Sequence, residues 1–317
     1  MAQLFPGPVS PGLLFPGQGA QFEGMGRAWA EAFDEARATF EEADDVLGSS
    51  LSEACWSRGD EVHRTDVAQP GIFTTSVAIT RVLAARGFDL ARAPLAAGLS
   101  LGEYTALWAA GSLGFTDGLR LVRLRGEAMQ HASDALPSGM LNLRGANEDQ
   151  ARALAGIGAR VGICQVANLN APGQIVLSGE LAALDAAEAA AEEHGVRRTL
   201  RLVVAGGFHS ECMRPAAERL AAALEDVEIR PPRVPFVSNV TGRPASEPRT
   251  IREQLSTQVC APVLWEKSMR WALDWGIRSY LEPGPGSTLG GILRKIEREV
   301  EVRSVAEPAD LEGRSPA

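Results

Sequence analysis

The pentapeptide Gly98-Leu99-Ser100-Leu101-Gly102 reads Gly-x-Ser-x-Gly, and it stands between a short apolar run, Pro94-Leu95-Ala96-Ala97, and a helix-compatible stretch over 101–110. This order predicts a strand that turns sharply into a helix, a nucleophile elbow. In so tight a turn the glycines remove side chains that would collide, and the serine hydroxyl is left projecting at the top of a sheet. Tyr104, Leu107 and Trp108 fit one helical face, and Gly111 is placed to stop the helix. A helix that starts at the serine aims unpaired main-chain N–H groups and a positive dipole end at the place where a negative oxygen forms. Such an arrangement suits acyl transfer through an acyl-serine.

An elbow needs a sheet, and the surrounding sequence supplies one. Apolar residues 12–16 lead into the glycine-rich turn Gly17-Gln18-Gly19-Ala20-Gln21, as a buried strand leading into an active-site loop does. Helical patterns follow over 28–43, 69–86 and 117–132, so strands alternate with helices and a mainly parallel sheet is expected. From about residue 139 the texture changes. Strands over 140–144, 164–168, 174–178 and 198–204 interleave with helices near 148–155 and 182–194, the βαββαβ order of a split βαβ unit. The chain then returns with helices near 213–224, 262–275 and 289–298, strands over 234–238 and 278–281, and a tail after about Val305 expected to be loose. The expected fold class is therefore α/β. A large α/β-hydrolase-like subdomain, residues 1–134 and 206–317, carries the mainly parallel sheet, and residues 135–205 form an inserted ferredoxin-like βαββαβ subdomain.

Composition excludes several classes. At 317 residues and 45% hydrophobic the chain can bury a large core, and a net charge of −9 argues against a phosphate-tracking nucleic-acid partner. Cys55, Cys164, Cys212 and Cys260 are widely spaced with no Cys-x-x-Cys pair, which indicates neither a metal site nor a disulfide framework. The start, Met1-Ala-Gln-Leu-Phe-Pro, has no basic segment followed by an apolar core, and no apolar stretch reaches membrane-spanning length. A cytoplasmic protein with no membrane partner is expected.

A serine nucleophile needs a base, and the chain has four histidines, His63, His131, His194 and His209. His209 is the best placed of them. It closes the apolar run 202–208 and so falls at an expected strand end, whereas His131 and His194 end polar helices and His63 lies among charged residues. Arg125, taken alone, reads as a solvated arginine on a helix that also carries Arg120, Arg123 and Glu127.

From about residue 12 to 300 the chain resembles the malonyl-CoA:acyl carrier protein transacylases of fatty acid synthesis and the acyltransferase domains of polyketide synthases. The likeness is carried by Phe15-Pro-Gly-Gln-Gly-Ala-Gln21, Ala68-Gln-Pro70, Gly98-Leu-Ser-Leu-Gly-Glu103, Arg125-Gly-Glu-Ala-Met-Gln130 and Asn170-Ala-Pro-Gly-Gln174, and further along by Gly207-Phe-His-Ser210, Ser238-Asn239, residues 258–265 and Glu282-Pro-Gly-Pro-Gly286. The resemblance implies that Ser100 takes the acyl group from coenzyme A, with His209 as base on attack and as acid toward the departing thiolate. It implies that His209 is oriented by the main-chain carbonyl of Gln258, and that the N–H groups of Gln18 and Leu101 form the oxyanion hole. It implies that Arg125 holds the free carboxylate of a malonyl group, with Gln69, Asn170 and Asn239 as further substrate contacts. Phe208, beside the acyl pocket, goes with malonyl rather than methylmalonyl in related acyltransferases; one methyl is worth roughly 1–3 kcal/mol of discrimination.

The chain departs from the family pattern at Leu99, where most members carry histidine. The second substrate that the resemblance implies is an acidic acyl carrier protein bearing a phosphopantetheine thiol. The pairs Arg197-Arg198 and Arg294-Lys295 match family positions with cations near the cleft mouth and are expected to dock it. No cofactor is expected, and nothing demands more than a monomer. Two rivals share the fold: an acyl hydrolase that clears carrier proteins, and a non-catalytic carrier-protein-binding partner. Arg125 speaks against the first, since uncharged acyl chains need no carboxylate partner, and the intact Ser100, His209 and Arg125 speak against the second.

Overall fold

The structure, a computed structural model, describes residues 10–312, so the Met1-to-Pro6 start and residues 313–317 lie outside the described part. Within it the strands are β1 (Gly12–Phe15), β2 (Ala96–Gly98), β3 (Ser138–Arg144), β4 (Cys164–Ala171), β5 (Gln174–Glu180), β6 (Arg198–Arg201), β7 (Phe236–Ser238), β8 (Arg243–Ala245), β9 (Ser279–Pro283) and β10 (Glu301–Val305). The first helices are α1 (Arg27–Ala32), α2 (Asp34–Leu47), α3 (Leu51–Trp56), α4 (Thr65–Ala85), α5 (Gly102–Ala109) and α6 (Phe115–Ala135). They are followed by α7 (Glu148–Gly158), α8 (Leu181–Ala189), α9 (Arg214–Glu225), α10 (Pro248–Gln258), α11 (Trp265–Asp274) and α12 (Thr288–Ile296).

The strands form a mainly parallel sheet and a separate antiparallel one. The larger is ordered β10-β9-β1-β2-β7-β8, parallel except at its β7–β8 edge. Alternation along β1 sends Leu13 and Phe15 into a core shared with α2, α4, α6 and α9, and Leu14 into a second core against α11 and α12. The smaller sheet, ordered β4-β5-β3-β6, covers its own core with α7 and α8. In the larger sheet β1 pairs with β2 on one side and β9 on the other, so connections diverge around its carboxyl end. That is where a crevice opens in α/β sheets.

Several expected boundaries move, each for a local reason. The helix expected over 28–43 breaks at Phe33, which is extended at φ −139° and packs its ring under the guanidinium of Arg86. Helix α4 begins at Thr65 and runs through Pro70. Proline leaves the Asp66 carbonyl without its helical donor, and Arg123 Nη1 takes that carbonyl at 2.9 Å. The helix expected from 262 starts at Trp265, because Val263 pairs with β4 instead: Leu169 N–H donates to its carbonyl at 2.9 Å, and its own N–H to Ala167 O at 2.8 Å. These bonds tie the small sheet to the large unit. The strand expected over 198–204 ends at Arg201, so His209 sits in a loop, not at a strand end. The tail expected to be loose from about Val305 contains the 3-10 turn Pro308–Glu312, where Asp310 Oδ2 accepts the N–H groups of Ala306 and Glu307. Helices α3 and α10 and strands β8 and β10 were not expected from the pattern. No helix among the described residues is long and apolar enough to cross a membrane.

Candidate active site

Ser100 stands two residues past the end of β2 and two before the start of α5, at φ +53°. Among the described residues only Ser100 and His209, at φ +58°, hold a left-handed backbone without being glycine. That strain is worth about 1–3 kcal/mol per residue and persists only where the surroundings over-determine it. Around Ser100 they do. Its N–H donates to Asn239 Oδ1 at 2.6 Å, Asn239 Nδ2 donates to Gly98 O at 2.8 Å, and Leu99 N–H donates to Phe15 O at 3.1 Å. A Cβ on Gly17 would lie 2.3 Å from Leu99 O, and one on Gly98 would lie 2.0 Å from the Gly102 carbonyl. The elbow and the turn after β1 therefore touch backbone to backbone.

His209 meets the serine across 109 residues of sequence: Ser100 Oγ and His209 Nε2 are 2.7 Å apart. On the far side of the ring, Nδ1 lies 2.9 Å from Gln258 O. A carbonyl only accepts, so the ring proton is on Nδ1, and Nε2 presents a lone pair to the serine O–H. Burial, and then the nearby charge of Arg125, push the imidazole down to about 4, only partly opposed by the Gln258 carbonyl. His209 is thus a neutral imidazole at ordinary pH. His131 and His194 are exposed, and His63 lines the cavity mouth without reaching the serine's hydrogen-bonding group.

Arg125 is buried on α6 and is no solvated helix residue. Its Nη1 donates to Gln69 Oε1 at 2.6 Å, and Nη2 donates to Ser100 Oγ and Gln258 Oε1, both at 3.0 Å. Burial pushes the guanidinium down from its usual value. Serine, imidazole and guanidinium share one cavity of about 570 Å³, walled also by Met129, Met140, Asn168, Val176 and Leu202. Phe208, Asn170 and Gln18 line it too.

Other expected site residues stand elsewhere. Gln69 and Asn239, expected to touch substrate, lie fully buried behind the wall: the first holds Arg125 and the second clamps the elbow. The Leu101 side chain is fully buried below the turn. Arg197 and Arg198 are exposed at and just before β6, while Arg294 and Lys295 are exposed on α12, which packs near β4. β6 and β4 are opposite edges of the small sheet. Sequence reasoning missed Glu103 as a site residue, although it opens α5 next to the elbow. A lone acidic residue in the first helical turn looks like ordinary dipole compensation. In the structure it is buried beneath the site, and desolvation holds its carboxyl up at about 7.

A family model described as an acyl transferase domain matches residues 13–309. The malonyl CoA-acyl carrier protein transacylase of Bacillus subtilis is 38% identical over 301 residues, 94% of each chain. The solved acyl-carrier-protein S-malonyltransferase of Bartonella henselae superposes with a TM-score of 0.92 at 37% identity, covering 96% of this chain and 98% of that one. A solved complex of a type II polyketide synthase acyl-carrier protein with its malonyl-transacylase matches with a TM-score of 0.90 at 36% identity, covering 96% and 98%.

Proposed function

The chain belongs to the acyl transferase domain family, and from that premise we propose that it is a malonyl-CoA:acyl carrier protein transacylase working through a malonyl-serine. One observation carries the reading: a buried guanidinium stands 3.0 Å from the hydroxyl that a neutral imidazole holds at 2.7 Å. A charged donor buried beside a nucleophile selects an acyl group with its own negative end.

In the first half-reaction His209 Nε2 takes the Ser100 proton as Oγ attacks the thioester carbon. Main-chain N–H groups of Gln18 and Leu101 receive the oxyanion, a reading supported by the backbone contact between their two turns. Collapse breaks the C–S bond, and the imidazolium returns its proton to the coenzyme A thiolate. Acylation turns Oγ into an ester oxygen, a weaker acceptor, which frees Arg125 Nη2 for the malonyl carboxylate. In the second half-reaction His209 deprotonates the carrier thiol, sulfur attacks the ester carbon, and Ser100 recovers its proton. One chain holds all three groups, so a monomer suffices. Phe208 and Asn170 bound the acyl pocket, and Arg197 and Arg198, close in sequence to the 202–205 segment of the cavity wall, are the favoured docking cations. The βαββαβ order and the β4-β5-β3-β6 sheet support reading residues 135–205 as a ferredoxin-like insertion into a hydrolase-like larger subdomain.

The test is intact-protein mass spectrometry after exposure to malonyl-CoA. One malonyl group is expected on the wild type and none on Ser100→Ala; label retained by the variant, or no label on the wild type, overturns the assignment.

A further inference from the structure

Glu103 opens α5, is fully buried, and is not among the residues that line the cavity. Both its carboxylate oxygens are committed. Oε1 accepts the main-chain N–H of Asn239 at 2.5 Å, and Oε2 accepts Nε2 of Gln258. The same Gln258 side chain accepts Arg125 Nη2 on Oε1 at 3.0 Å and donates from Nε2 to Ser100 O at 2.9 Å. A carboxylate accepts and a guanidinium only donates, so an amide between them has one allowed orientation.

We propose that Glu103 is a positioning residue for the substrate carboxylate: it fixes the polarity of the Gln258 amide, and that amide holds Arg125 facing the acyl pocket. Two further observations support this. Burying a carboxylate is costly, and a glutamine would fill the same volume at the start of α5, so a purely packing role does not call for the charge. Arg125 also has no carboxylate among its hydrogen-bond acceptors, which are Gln69, Ser100 and Gln258. A carboxylate paired directly with Arg125 would compete with the substrate for its donors. Placing the counter-charge one amide away balances the buried guanidinium and leaves its donors exchangeable.

The inference rests on the malonyltransferase reading, and its experiment separates the two. The rates at which malonyl-CoA and acetyl-CoA acylate Ser100 are measured by intact mass in the wild type, Glu103→Gln, Gln258→Met and the double variant. The Glu103→Gln amide brings a donor against Gln258 Nε2. Gln258 then turns over and sets its own N–H2 against Arg125. Acylation by malonyl-CoA is expected to fall about tenfold or more relative to acetyl-CoA, mainly through KM. Gln258→Met keeps the main-chain carbonyl that orients His209 and is expected to lose the same ratio, with no further loss in the double variant. An unchanged malonyl-to-acetyl ratio, or an equal fall with both substrates, refutes the positioning role. Should Glu103→Gln fail to fold, Gln258→Met alone decides by the same ratio. If the wild type takes no malonyl group on Ser100, the functional reading fails first.

Discussion

Gly102 is the position where one methyl group tests how the nucleophile is held. A Cβ there would lie 2.2 Å from Phe15 O, 2.9 Å from Phe15 C and 3.1 Å from Pro16 O, whereas ordinary contact begins at 3.4 Å. The obstacle is main chain and cannot rotate away: Phe15 is registered against Gly98 in the β1–β2 pair and accepts the Leu99 N–H at 3.1 Å. In Gly102→Ala the elbow must therefore withdraw from β1 by about 1 Å, and overpacking of this kind costs roughly 1–3 kcal/mol. Loss of the Leu99–Phe15 hydrogen bond adds about 1 kcal/mol, for a total near 2–4 kcal/mol. Backbone conformation is not the issue, because Gly102 is not among the positive-φ glycines and alanine is the better helix former. Ser100 moves with the elbow, and a misplacement of about 1 Å from a 2.7 Å contact with His209 costs on the order of 100-fold in acylation. The assay is the rate of malonyl mass gain on mixing with malonyl-CoA, with thermal unfolding followed in parallel. Gly291→Ala, on α12 with nothing within 4 Å of its Cβ, is the control. It is expected to acylate normally and to gain up to about 1 kcal/mol. If Gly102→Ala acylates within about threefold of wild type and melts normally, the backbone contact does not position the serine.

On the proposed mechanism the base is neutral His209, whose folded value of about 4 lies below its ordinary 6.5. Acylation by acetyl-CoA should accordingly stay level from about pH 8 to about pH 5 and decline toward 4, and half-loss near 6.5 contradicts the burial argument. Stability is linked to the same shift: between 6.5 and 4 the unfolded chain holds a proton that the folded site refuses. Stability therefore falls as pH drops through that window, by about 3 kcal/mol in all. Glu103, held up at about 7 from 4.5, gives the opposite slope. The His209 contribution is read as the difference between denaturant midpoints of the wild type and His209→Gln across this range. For the carrier protein, reversing Arg197 and Arg198 to glutamate should raise its KM about tenfold and leave acylation by malonyl-CoA unchanged. The same reversal at Arg294 and Lys295 should do less, and equal effects from both pairs contradict docking near β6.

Signals that rest on a few adjacent residues were legible before any coordinates. Gly98, Ser100 and Gly102 specify the elbow because a turn that tight admits no Cβ, a steric fact that three letters carry. Periodicity within one segment likewise announced α5, α6 and the βαββαβ run. It failed where a distant partner decided the outcome: Arg123 supplies the bond that lets α4 pass through Pro70, and β4 draws Val263 out of a helix. His209 was singled out as ending a strand that in fact stops at Arg201, and it reaches Ser100 from a loop instead.

The sequence by itself determined the elbow that carries Ser100, the alternation of strands and helices, and, through ordered motifs, the family. Only the tertiary structure decided what each buried polar group faces. A lone arginine on a charged helix and a glutamate in a first helical turn look solvated in one dimension. Folding removes the water around Arg125 and Glu103 and sets the Gln258 amide between them. The physical reason is that hydrogen-bond polarity and desolvation depend on neighbours 25 to 158 residues away along the chain, which no local pattern encodes.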